Sequence, residues 1–264
     1  KLLCEGLKLH KECRQLWLKR NPIKEEGIPF ISDLIIHSYI EVLDVSYCGL
    51  LDSGAIKLFE ALNQSQIKHL YVDGNGLTAA CMPSLKTQLS HNSCKLETLY
   101  ISVNHLEDEG IEILAEALAT NTSLKRLNVG SNCISDRGLN TLFPKSYNLT
   151  FLNVGSWKSE YDLRSKPNKL QTHDTLLDLI EKGSLKCLSM KKLDIPPDIL
   201  WKIAARLQYN RDMVVFEYNK NGVLKELNLE IQRILDRNNV NSSRRLKHGD
   251  YVFDIDSIYR NRNM

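Results

Sequence analysis

The sequence predicts an α/β solenoid: about eight strand–helix units stacked into a horseshoe, parallel strands lining the concave side and helices covering the convex side. Three observations carry the prediction. The phrase Leu-Asn-Val-Gly-Ser occurs twice, at 127–131 and again at 152–156. Extended in both directions it becomes Leu-x-x-Leu-x-Leu-x-x-Asn-x-Leu, a frame that fits eight times, with its Asn position at 21, 48, 75, 104, 132, 157, 193 and 221. Between these positions lie runs whose apolar residues recur three and four apart, the period of a one-sided helix.

The elements follow in order. The opening "KLLCEGLKLHKE" (1–12) reads as the closing helix of a preceding repeat or cap. The first frame holds Leu16, Leu18 and Asn21, the second Leu43, Val45 and Cys48, the third Leu70, Val72 and Asn75, and the fourth Leu99, Ile101 and Asn104. The fifth and sixth are the repeated phrase, ending on Asn132 and on Trp157. The seventh holds Leu188, Met190 and Leu193. The eighth, Phe216, Tyr218 and Asn221, is degenerate. "DSGAIKLFEAL" (52–62) and "DEGIEILAEAL" (108–118) predict helices, with the leading Asp as a helix cap and the Gly chosen for unusual dihedrals. The acidic set from Glu107 to Glu116 reads as a solvated helix start that complements the helix dipole. "KELNLEIQRILDRNN" (225–239) predicts the final helix.

One unit cannot bury its leucines alone, whereas stacked units make a continuous core. The Asn column then sits where each strand bends away, its amides satisfying backbone groups of neighbouring turns. This pattern resembles the leucine-rich repeat of the ribonuclease-inhibitor type, over residues 13 to 238. The resulting division is a repeat domain at 1–238 and a C-terminal extension at 239–264, read as a cap or docking segment. The step from 157 to 193 is 36 residues against 25 to 29 elsewhere, which places an insertion beside the concave rim.

Composition bounds the function. With 264 residues, 42% hydrophobic and 25% charged and a net charge of +3, the chain lacks the basic stripe of a nucleic-acid binder. No run of about 18 apolar residues predicts a membrane span, and no secretory signal peptide is visible in the sequence. Seven cysteines, odd in number and without a Cys-x-x-Cys pair, suit a reducing, cytoplasmic compartment. No phosphate loop, zinc-ligand spacing or Gly-x-Ser-x-Gly elbow appears, so neither a cofactor, a metal site nor a catalytic residue is expected.

The concave surface remains. Strand side chains alternate, so the middle residue of each Leu-x-Leu points away from the core. In the first four units these are Trp17, Asp44, Tyr71 and Tyr100, with Lys19, Asp73 and Tyr47 around them. Aromatics among charges have the composition of a protein-binding hot spot. Trp157, at the rim insertion, joins the set. Tyr71 and Tyr100 are expected side by side, exposed, and dispensable for the core. The expected function is a non-catalytic module, monomeric on its own, that binds and inhibits a partner protein in its concavity. The resemblance implies enzyme inhibitors, innate immune receptors and short effectors of intracellular bacteria as settings; compact length favours the last, acting in a host cytosol. The alternative is a GTPase-activating accessory similar to the Ran GTPase-activating protein, whose family carries an acidic C-terminal stretch where this chain ends mildly basic. Alkylation of the denatured, unreduced protein should give one adduct per cysteine by intact mass; fewer adducts would reveal disulfides.

Overall fold

Residues 1–156, 173–220 and 222–245 are described by the structure, a computed structural model, with side chains described up to residue 240. Eight strands of three residues each form one sheet in chain order: β1 Gln15–Trp17, β2 Val42–Asp44, β3 His69–Tyr71, β4 Thr98–Tyr100, β5 Arg126–Asn128, β6 Phe151–Asn153, β7 Cys187–Ser189 and β8 Val215–Glu217. Every pairing is parallel, and the central residue of each strand, Leu16 through Leu188 and then Phe216, faces its counterpart in the next. The helices are α1 Leu2–Lys8, α2 Lys24–Ile36, α3 Leu51–Glu60, α4 Met82–Leu89, α5 Glu107–Leu118, α6 Asp136–Leu142, α7 Asp174–Lys182, α8 Pro197–Leu207 and α9 Lys225–Arg245. From β1 onward each strand is followed by its helix. The core between sheet and helices is the column of buried leucines, isoleucines and valines that the repeat frame specifies.

The strands begin one residue ahead of the Leu-x-Leu frame. The chain must leave the sheet within a few residues, and the Asn column makes that turn possible. Asn104 donates from Nδ2 to the carbonyls of Ile101 (3.0 Å) in its own unit and Val72 (3.2 Å) in the unit before. Its Oδ1 accepts from the N–H groups of Asn75 (2.8 Å) and Leu77 (3.1 Å). Asn75 and Asn132 repeat the scheme one unit to either side. Cys48 takes part with a thiol donated to Leu18 O at 3.1 Å. The residue just before the column is left-handed in unit after unit, at Arg20, Tyr47, Gly74, Val103, Ser131 and Lys192. Such a φ costs a non-glycine residue about 1–3 kcal/mol. The cross-strand bonds of Tyr47 N to Asp73 O and Val103 N to Gly130 O hold it there. Trp157 and Asn221, the remaining column positions, lie outside the described residues.

The Asp-x-Gly helix starts work differently from the sequence reading. α3 and α5 have no side-chain cap. Asp52 instead reaches sideways, accepting from Thr78 N (2.8 Å) and Thr78 Oγ1 (2.7 Å) of the next unit. Asp108 does the same with Ser135 N and Oγ. The hydroxyls of Thr78 and Ser135 then accept from Ala80 N and Arg137 N, capping the short turn ahead of α4 and the start of α6. The glycines are helical residues at close approach: a Cβ on Gly54 would lie 3.3 Å from Glu25 Cα, and one on Gly110 3.4 Å from Ala79 Cα. Of the acidic set, Glu112 pairs with Arg137 and Glu116 with Lys86.

A second column closes the opposite turns. Asn121 donates to Leu89 O, Asn210 to Ile180 O, and Asn238 to Asn210 O and Met213 O. α9 carries Asn238 and runs to Arg245, beyond the predicted end at 239, while residues 246–264 of the proposed extension lie outside the described residues. All seven cysteines are free thiols.

Asn104→Ala should cost about 1–3 kcal/mol in urea denaturation, because it strands buried backbone donors and acceptors. Asn21→Ala, which removes one exposed bond to Leu18 O, should cost a few tenths.

Candidate functional site: the concave face

Two rows of side chains line the concave side, because positions on either flank of each buried central leucine point the same way. The first row includes Val42, His69, Thr98, Arg126 and Phe151; the second includes Trp17, Asp44, Tyr71, Tyr100 and Asn128. Sequence reasoning left out the first row and used the second, together with Lys19, Tyr47 and Asp73 just beyond it. The alternation that found it applies equally to the first, and that signal was enough to find Arg126 and Phe151.

The aromatics form a continuous row. Tyr71 and Tyr100 meet edge to face with centroids 5.0 Å apart, and Tyr100 stacks on Phe151 at 5.9 Å. The Arg126 guanidinium lies 4.9 Å over Phe151, and its Nη2 donates to Tyr100 OH at 3.4 Å. Trp17 stacks on Tyr71 at 6.1 Å although β2 lies between their strands. The two rings therefore lean together over Asp44, which is fully buried and accepts from Ser46 N through Oδ1 at 2.9 Å.

Exposure differs from the expectation. Tyr71 and Tyr100 retain 4% and 8% of their accessible surface, while Trp17 and Tyr47 each keep 41%. Tyr71, Tyr100, Val42 and Phe151 make a small apolar cluster of their own, separate from the main core. The tyrosines are side by side on the concave face as expected, but as its packed floor rather than as free anchors. The exposed aromatic edge is Trp17 with Tyr47. Tyr47 sits at a left-handed position, φ 57°, and lies over Gly74, where a Cβ would come within 2.3 Å of its ring. Lys19 Nζ and Arg20 Cζ each approach that ring to 5.8 Å, within cation–π range. Trp157 lies outside the described residues.

The repeated Gly in Leu-Asn-Val-Gly-Ser has its cause here. A Cβ on Gly130 would meet Gly155 O at 2.4 Å, and one on Gly155 would meet Lys191 N at 2.7 Å. Asn128 and Asn153 each accept from the glycine N–H two residues on, at 3.1 and 2.9 Å.

Asp73 and His69 are among the groups that this packing shifts. Burial pushes the Asp73 carboxyl up to about 6, against the lowering effect of Ser102, whose N–H and Oγ donate to Oδ1 at 2.6 and 2.7 Å. Nearby Asp44 raises it further and Lys19 lowers it. Burial also lowers His69, whose Nδ1 lies 2.9 Å from Thr98 Oγ1. Among the described residues no group of three His, Cys, Asp or Glu side chains is placed to hold a metal ion, and no helix is long and apolar enough to cross a membrane.

Comparison with known proteins gives a consistent family of matches. A family model described as Leucine Rich repeat matches residues 37–59, 92–115 and 120–143. The ribonuclease inhibitor of Sus scrofa is 27% identical over 179 residues, 65% of this chain and 39% of that protein. NACHT, LRR and PYD domains-containing protein 3 of Homo sapiens is 32% identical over 167 residues, 59% of this chain and 16% of that protein. Protein 14 of the same human series is 29% identical over 47% of the chain and 12% of its own length. The chain thus spans well under half the length of each of these relatives. Among solved structures, leiomodin-1 actin-binding site 2 aligns with a TM-score of 0.45 at 14% identity, covering 73% of this chain and 92% of that one.

Asp73 makes stability depend on pH in a defined sense. Its folded-state value of about 6 lies above the ordinary 3.8, so the contribution is fully present below about pH 4 and is lost as pH rises through 6. Asp73→Asn should flatten the melting-temperature profile between pH 4 and 7 and match or exceed the parent at pH 7. A parent profile rising over that interval would contradict this assignment.

Proposed function

Because the chain is a leucine-rich repeat protein of the ribonuclease-inhibitor type, we propose that it is a non-catalytic protein-interaction module whose concave face grips a partner protein and, where that partner is an enzyme, inhibits it by covering its active surface. The observation that carries this reading is the pairing of a rigid floor with an exposed aromatic edge. Tyr71, Tyr100 and Phe151 lock one another in place, and Trp17 and Tyr47 stand beside them half-exposed, flanked by Lys19 and Arg20. Large aromatics already held by packing lose little freedom on binding, which is the physical basis of a hot spot. Basic side chains over the Tyr47 ring favour a partner surface carrying carboxylates. The name of the pig relative, an inhibitor of ribonuclease, supports the inhibitory form of the reading.

The test uses affinity purification to obtain the partner, followed by titration of variants. Trp17→Ala and Tyr47→Ala should fold normally and each weaken binding about thirtyfold, roughly 2 kcal/mol. Tyr71→Ala should lower thermal stability as well as binding, because it opens the aromatic floor. Glu112→Ala on the convex side should leave affinity unchanged. Full-strength binding by the Trp17/Tyr47 double variant would move the interface off this face.

A further inference from the structure

The repeated phrase Leu-Asn-Val-Gly-Ser puts Asn128 and Asn153 opposite each other on β5 and β6. Both stand on the concave face, and both are held the same way. Each Oδ1 accepts from the glycine N–H two residues on, which leaves the NH2 group on the other branch of the amide, off the backbone. Among the described residues neither Nδ2 makes a hydrogen bond.

The turn column uses the same side chain differently. The Nδ2 groups of Asn75, Asn104 and Asn132 each donate to carbonyls of two units, so the fold consumes them. Asn128 keeps only 8% of its accessible surface, yet its amide nitrogen is not sealed off. Among the described residues the sealed side-chain atoms without a partner are Ser38 Oγ, Ser46 Oγ and His173 Nδ1. A nearly buried donor that opens to one side gains its hydrogen bond when an acceptor arrives. Nothing overhangs the pair from the next concave row either. That row carries Asp73 and Ser102 in the third and fourth units but Gly130 and Gly155 here.

Charge decides which acceptor fits. The concave positions of β5 to β7 carry two cations, Arg126 and Lys191, and, among the described residues, no acid. Beyond them Glu217 on β8 is held by Lys191 at 2.9 Å. The Arg126 guanidinium reaches across to lie 4.9 Å over Phe151, which stands two residues ahead of Asn153 on the same face. Adjacent strands set the two amides about 4.8 Å apart. Donors at that spacing suit one carboxylate between them, each giving a hydrogen bond of about 2.9 Å to one of its oxygens. A neutral carbonyl would satisfy the amides alone; the guanidinium beside them selects the charged group.

We propose, on the concave-face reading above, that Asn128 and Asn153 with Arg126 beside them form the seat for an aspartate or glutamate side chain of the partner protein. The aromatic edge at Trp17 and Tyr47 then supplies apolar contact at one end of the face, and the amide pair fixes the partner's register at a second point.

Hexaglutamate is the probe, hexaglutamine its neutral counterpart and inorganic phosphate the small-anion control, all in about 0.15 M salt to screen distant charges. The readout is the side-chain NH2 signals of the 15N-labelled chain, assigned with Asn128→Ser and Asn153→Ser. Serine still offers an acceptor to the glycine N–H but does not reach the seat. Hexaglutamate should shift both NH2 pairs saturably, and hexaglutamine should not. The Asn128→Ser/Asn153→Ser double variant and Arg126→Gln should each weaken hexaglutamate about tenfold or more. Absence of any shift, or equal shifts from hexaglutamine, would overturn the carboxylate seat. Phosphate binding as tightly as hexaglutamate would also overturn it, reducing the site to an adventitious ion only. The Trp17/Tyr47 double variant should bind hexaglutamate like the parent, so the two readings fail separately. If hexaglutamate fails while that variant still loses the partner, the seat alone falls; if the partner binds that variant at full strength, the concave-face reading falls and the seat with it.

Discussion

The structure rests on a backbone problem at the strand exits. Three-residue strands leave the sheet almost as soon as they enter it, and the polar groups of each exit turn are buried under the next unit. A group buried without a partner costs more than an ordinary hydrogen bond gains. The Asn side chain answers with two donors and an acceptor on one short stem, reaching its own unit and the one before it at once. Everything else is arranged to keep that reach: the left-handed residue that turns the chain, the leucines that fix register, and the helices that seal the outer side. Cys48 shows how far the rule stretches, since a thiol can donate to Leu18 O but cannot take up two N–H groups.

The concave face follows from the same geometry. Strands a hydrogen bond apart bring equivalent side chains within contact distance, so large rings in adjacent units pack on each other before they meet a partner. Tyr71 and Tyr100 accordingly became floor, and Asp44 disappeared beneath Trp17 and Tyr71. What stays reachable is set at the ends and rims of the row, where a ring has a neighbour on one side only.

The fold was legible because its cause is periodic: the Leu and Asn columns predict the sheet order, the direction of pairing and the position of the turns. The sideways role of Asp52 and Asp108 was not. Their partners, Thr78 and Ser135, stand in the following unit, and a local reading of Asp-x-Gly finds the nearer cap first. The concave positions could be named from alternation, yet their exposure depends on cross-strand ring packing that no single repeat contains. Phe151 and Arg126 escaped because the frame was read from its leucines, which drew attention to the residue between them and away from the one before.

The helix-start clamps have a mechanical consequence. On the concave side the spacing of units is fixed by backbone hydrogen bonds, which stretch little. On the convex side it is set by side chains: Glu25 with Ser53, Asp52 with Thr78, Asp108 with Ser135, and Asn140 with Thr175. Side chains can re-rotamer where a ladder cannot, so the molecule is a leaf spring with a stiff inner face and a compliant outer one.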